Sequence, residues 1–279
     1  MESISMGELL EWKETRRFYC WPLLPEKSTM FFAAPPKMYK TILAMQFAYK
    51  LVAGGDFFGY GITSPLDRVL YVEQEIGRPE TRDRIARMHA HFKAENLSGK
   101  IRFITRPKTR FSLDTGSKGL ELLEDEIKEF KPQVVFIDPF RKITSKDENS
   151  STEMTKVFAA MTALQEQYDL TFVVVHHSGK PSDNRKQGTP DAMRGSSEIF
   201  GHGDTYGMLV KPTNSDVDID VNFEFRHAPH CDPLRLTFDQ SIGVFRDRQQ
   251  QKEINTPKKG LTKESVEGRI NSVLKGLKV

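Results

Sequence analysis

The sequence predicts an α/β fold: a mostly parallel central sheet flanked by helices, with antiparallel strands at its C-terminal side. Short, continuously apolar segments recur along the chain, and amphipathic helical stretches separate them. Strands covered on both faces read in this way, whereas half-exposed strands alternate apolar and polar residues. After residue 204 the pattern changes to short strands divided by turn residues, which argues for the antiparallel extension.

The elements follow in order. TMFFAA (Thr29 to Ala34) is a short buried strand, and Thr41 to Val52 continues as a helix with Ile42, Leu43, Met45, Phe47, Ala48 and Leu51 apolar. RVLYVEQ is the next strand, and RPETRDRIARMHAHFKAEN is a charged helix with Pro79 in its first turn. IRFITRP and QVVFIDP repeat the strand signal around KGLELLEDEIKEFKP, a helix closed by Pro132. A further helix carries Met154, Val157, Phe158, Met161 and Leu164 on its buried side, with Ser150, Ser151 or Thr152 as its cap. TFVVVHH then supplies a strongly β-branched strand. The segment GKPSDNRKQGTPDAMRG is polar and rich in Gly and Pro, and reads as a long exposed loop. From TYGMLVKP onward, VDIDVNFEFR, LRLTFD and IGVFRD are expected to form the antiparallel part. The tail is a polar linker and an amphipathic helix bearing Val266, Ile270, Val273 and Leu277. The expected organisation is an N-terminal segment at 1–23, one domain at 24–247 and the tail at 248–279.

Composition narrows the function classes without choosing one. Charge is nearly balanced, with 41 basic against 38 acidic side chains and a net charge of +3, so any nucleic-acid face has to be local rather than global. Cys20 and Cys231 lie far apart and lack metal-ligand spacing, which argues against a zinc site or a disulfide framework. No window reaches the roughly 18 apolar residues of a membrane span, and the start of the chain lacks a secretory core, so a cytoplasmic protein is expected.

The chemistry gathers at strand ends. Ala34-Pro35-Pro36-Lys37-Met38-Tyr39-Lys40-Thr41 occupies the strand-to-helix position of a phosphate-binding loop, with Ala34 and Tyr39 where that pattern has glycines. Backbone N–H groups at a helix start bind phosphate whatever the side chains, and Lys40 adds charge. Prolines have no N–H, so the donors fall to Lys37 through Thr41. Tyr39 is strained if its position requires positive φ. Asp138 ends the strand VVFID, either as a turn residue or as the carboxylate of a magnesium site beside Thr41. Glu73 or Glu75 follows another strand, where a carboxylate can activate water. His176 and His177 end a third, as a strand-end cluster or as contacts to a phosphate. Open α/β sheets place their sites at such carboxyl ends.

Taken together, AAPPKMYKT, VLYVEQEIG, VVFIDPFRKI, VVVHHSGK and MRGSSEIFGHGD resemble, in order and spacing, the RecA-like ATPases of the plasmid RepA hexameric replicative helicase type. DnaB-type helicases and RadA-type recombinases are more distantly similar. The resemblance spans about Leu24 to Asp247 and implies a RecA-like P-loop core that binds ATP and Mg2+ between subunits of a ring. It implies phosphate binding by the loop Pro36, Lys37, Met38 and Tyr39 with Lys40 and Thr41, and magnesium binding by Thr41 and Asp138. It further implies Glu75 as base, with Glu73 the weaker candidate, and His177 with His176 as sensor of the γ-phosphate. Arg84 matches a position near the adenine, and Arg226 a finger offered to the neighbouring subunit, although Glu224 stands where the family has a lysine. Lys180, Arg185 and Lys186 fall in the loop that grips single-stranded DNA in such rings; a solvated loop is the plain alternative. The implied function is an Mg-ATP-dependent DNA motor in a homo-oligomeric ring, expected to be hexameric, with a replication initiator or primase as further partner. The alternatives are an assembly or loading protein with little hydrolysis, and a filament-forming recombinase.

Overall fold

The apolar runs at 29–34, 69–73, 134–138 and 171–176 fold as buried parallel strands because their residues face one of two helical layers, while the run at 101–105 is a half-buried edge strand. The computed structural model describes residues 3–178, 188–189, 197–212 and 215–248. Its elements begin with α1 (Met6–Glu11), β1 (Phe18–Cys20), β2 (Leu24–Pro25), β3 (Thr29–Ala34), α2 (Lys40–Ala53), β4 (Asp56–Phe57) and β5 (Tyr60–Gly61). They continue with β6 (Val69–Glu73), α3 (Arg78–Phe92), β7 (Ile101–Thr105), α4 (Lys118–Phe130), β8 (Val134–Asp138) and α5 (Ser151–Tyr168). Last come β9 (Thr171–His177), α6 (Ser197–His202), β10 (Thr205–Val210), β11 (Asp218–Phe225), β12 (Leu234–Asp239) and β13 (Val244–Asp247). Local signals set several ends: Ser117 and Ser150 accept the N–H groups of Leu120 and Glu153 as helix caps, and Pro79 sits in the first turn of α3.

The main sheet runs β13-β12-β11-β10-β3-β9-β8-β6-β7. Strands β10 through β7 in that order are parallel, and β11, β12 and β13 are antiparallel. One expectation is corrected here. Thr205–Val210 was expected to open the antiparallel part, but it lies parallel to β3, pairing Thr205 with Met30 and Met208 with Ala33. The chain returns from the end of β9 through α6 before β10 begins, and such a crossover brings a strand back in the same direction. On its other edge β10 pairs antiparallel with β11, and the antiparallel part begins there.

Alternation along each strand sorts the core into two layers. Met30 and Phe32 of β3, Val69 and Tyr71 of β6, Val134 and Phe136 of β8, and Val173 and Val175 of β9 pack with Leu43 and Phe47 of α2. The intervening Phe31, Leu70, Val72, Val135, Ile137, Phe172 and Val174 pack with Leu123 and Ile127 of α4 and with Met154, Val157 and Met161 of α5. Burying a large apolar side chain contributes roughly 1.5–3 kcal/mol, so these layers hold the sheet rigid under the loops at its end. Continuing the alternation one step further puts Ala34, Glu73, Asp138 and His177 on the α2 face. His176 falls on the other face. The expected loop of 179–195 lies outside the described residues except for Gly188 and Thr189, and so does the tail except for Arg248. Among the described residues no helix is long and apolar enough to cross a membrane.

Candidate functional site

The loop between β3 and α2 reaches its shape through two residues in the left-handed region, Lys37 at φ 63° and Tyr39 at φ 56°. Neither is glycine, and a residue with a Cβ costs about 1 kcal/mol in this region. Tyr39 has a compensation at hand: its ring packs on Phe238 of β12 at 4.6 Å between centroids and on Phe245 of β13 at 6.1 Å. It also occupies the position before α2 without a side-chain cap, which leaves the first N–H groups of the helix directed into the loop. Pro36 and Lys37 are exposed, while Met38 is buried in the core under α2. Such a run of alternating backbone conformations converges N–H groups on an anion.

Lys40 opens α2 and is only 6% exposed. Its Nζ donates to the carbonyls of Ala34 at 3.0 Å and Pro35 at 2.8 Å, so the ammonium lies folded over the loop. Burial pushes its pKa down to about 8, against the attraction of Asp138 and Glu75. Thr41 donates its hydroxyl to Asp138 Oδ1 at 3.3 Å, joining the loop to the end of β8. The other oxygen of Asp138 accepts from the Tyr71 hydroxyl at 2.8 Å. Asp138 is 2% exposed, and burial raises its carboxyl to about 6 although both hydrogen bonds favour ionisation. A hydroxyl and a carboxylate beside a phosphate cradle are hard oxygen donors of the kind magnesium takes, so the residues fit the expected nucleotide and cation. Tyr71 is a member of this group that the motifs did not name. The available signal was a phenol inside an apolar strand, which requires a buried acceptor.

Glu73 and Glu75 have different surroundings. Glu73 is 1% exposed, and its Oε1 accepts the N–H groups of Glu75 and Ile76, each at 2.7 Å. Burial raises its carboxyl to about 7. Glu75 is exposed, and its charge acts on Lys40, Asp138 and Glu73 alike. His177 pairs in register with Ala34, beside the first residue of the loop. His176 is fully buried between Phe31 at 6.5 Å and Phe140 at 5.5 Å, on the face away from α2. Arg84 lies half-buried on α3, within electrostatic reach of the Tyr71 hydroxyl.

Arg226 lies apart from this group. It follows β11, whose Phe225 pairs with Thr205, which in turn pairs with Met30 near the start of β3. The loop follows the other end of β3, roughly 15 Å along the strand. Arg226 is exposed and donates through Nη2 to the carbonyl of Gly201. Lys180, Arg185 and Lys186 lie outside the described residues.

The geometry brings together Lys40, Thr41, Asp138, Glu75 and His177 and leaves Arg226 at the far end of the sheet. A family model described as an AAA domain matches residues 2–183 of the chain. Among solved structures, one described as an ATPase domain superposes with a TM-score of 0.55 at 16% identity, covering 80% of this chain and 85% of that one. A KaiC-like protein of the hyperthermophilic archaeon Pyrococcus horikoshii gives a TM-score of 0.55 at 16% identity, over 84% and 98% of the two chains. No curated protein matches the sequence. At this identity the structures speak for the fold, and the family match speaks for kinship. The chain therefore belongs to the AAA domain family, and its body has a RecA-like P-loop fold.

Proposed function

We propose that the protein hydrolyses Mg-ATP and couples hydrolysis to movement on single-stranded DNA as a ring of identical subunits. The observation that carries the ATPase reading is the contact of Thr41 with Asp138, with Lys40 folded over the same loop. In this reading Lys40 and the N–H groups of Lys37 to Thr41 hold the phosphates, with Pro36 shaping the loop, and Thr41 and Asp138 hold the cation. Bound magnesium would neutralise charge on the phosphate oxygens. Glu75, exposed at the mouth, takes the proton of the attacking water. His177, beside Ala34, senses the terminal phosphate, and Arg84 lies towards the base.

The oligomeric part of the proposal has two supports. Arg226 lies too far along the sheet to serve the loop of its own chain, so a role as finger requires a neighbouring copy. In addition, Met6, Leu9 and Leu10 of α1 and the flanking Ile4 and Trp12 are between 45% and 77% exposed, apolar surface that a second copy would cover. DNA contact by Lys180, Arg185 and Lys186, and a replication initiator or primase as partner, rest on the resemblance of the sequence alone. Phosphate release from Mg-ATP with and without single-stranded DNA tests the motor reading. DNA is expected to raise turnover severalfold in the parent and less in Lys186→Ala; turnover indifferent to DNA would overturn it. A second reading, a nucleotide-dependent assembly protein with little hydrolysis, is favoured by the left-handed tyrosine at position 39, which packs on the antiparallel strands.

A further inference from the structure

We propose that Glu73 is a positioning residue that aims Glu75, an inference that rests on the ATPase reading above. The segment from Glu73 to Ile76 is tied down at each step. The Glu73 carbonyl accepts from Arg106 N at 2.9 Å, and Gln74 N donates to the Asp138 carbonyl at 3.0 Å. The Gln74 side chain donates to the carbonyls of Phe111 at 3.2 Å and Lys142 at 3.1 Å. What remains is the turn after Gln74. Its two N–H groups, from Glu75 and Ile76, both go to Glu73 Oε1.

With backbone and neighbouring side chain fixed, only the side-chain torsions of Glu75 stay free, and these set where its carboxylate stands relative to Lys40 and Asp138. The same geometry argues against Glu73 as the base. One of its oxygens is committed to two short backbone hydrogen bonds, and the residue is almost wholly enclosed, whereas Glu75 is open to the mouth of the site. Glu73 Oε2 is buried with no hydrogen-bond partner among the described residues, so the carboxylate pays a desolvation cost that an apolar residue would avoid. An apolar side chain, however, would leave the two N–H groups of the turn without their acceptor.

Three variants decide the matter. Glu73→Ala removes the acceptor; Glu73→Gln keeps an oxygen able to take both N–H groups but removes the charge; Glu73→Asp keeps the charge but withdraws it by one methylene. For Mg-ATP hydrolysis we expect Glu73→Ala and Glu73→Asp to lower kcat roughly tenfold or more with KM within about twofold. Glu73→Gln should recover most of that loss. Backbone hydrogen exchange at Glu75 and Ile76 should be slow in the parent and in Glu73→Gln, and fast in Glu73→Ala. Loss of kcat in Glu73→Gln with full activity in Glu73→Asp would overturn the proposal, since charge and not position would then matter. Parent-like kcat in Glu73→Ala would overturn it as well. A parent that binds but does not hydrolyse Mg-ATP refutes the ATPase reading by itself; in that event unchanged exchange at the turn in Glu73→Ala still refutes the role assigned to Glu73.

Discussion

Tyr39 brings two opposing effects to one residue. Its φ of 56° costs about 1 kcal/mol relative to glycine, while packing on Phe238 and Phe245 returns about 2 kcal/mol. Packing is the larger effect, so Tyr39→Gly should lower stability by about 1 kcal/mol, and Tyr39→Ala, which loses the packing but keeps the strain, by about 2 kcal/mol. Urea unfolding of both variants checks the order; an alanine variant more stable than the glycine one would refute the left-handed assignment. His202 gives a pH effect. Burial lowers its pKa from 6.5 to about 4, with Asp204 opposing and Arg226 assisting, and its ring stacks on Phe158 at 4.3 Å. The folded state therefore keeps it neutral while the unfolded chain takes up a proton, and stability falls as pH drops from about 6.5 towards 4, by on the order of 2 kcal/mol. Thermal melts of His202→Gln should show a flatter acid limb than the parent.

At the scale of elements, β3, α2, β6, β8 and β9 were legible because both faces of each strand are covered, which leaves an unmistakable apolar run. The pairs β1–β2 and β4–β5 were not, since strands of two or three residues leave no periodicity to read. The direction of β10 depends on the path of the chain before it, and its own residues are compatible with either pairing. At the site, the motifs gave Lys40, Thr41 and Asp138 their neighbourhood. That His176 and His177 face opposite layers follows from strand alternation; that Glu73 holds the turn beneath Glu75 does not, because it depends on the path of the chain after β6. The short α1 carries its own prediction. It buries none of its residues on this chain, so Leu9→Glu with Leu10→Glu should lower the mass measured by light scattering without lowering the melting temperature. A parent that is already monomeric with nucleotide present would remove the ring from the account.

For the whole molecule, the sheet serves as a rigid plate: three strand ends and one loop meet on the α2 face, and the antiparallel strands carry Arg226 away from that meeting point. In the proposed reading Arg226 serves the loop of a neighbouring copy, so turnover should rise with protein concentration until assembly saturates. The most direct test of the central claim is phosphate release from Mg-ATP by the parent and by Glu75→Gln, with nucleotide binding measured alongside. The account predicts turnover in the parent and a loss of about a hundredfold or more in Glu75→Gln with binding retained. Tight binding with negligible turnover in the parent, or turnover that survives Glu75→Gln, would contradict it.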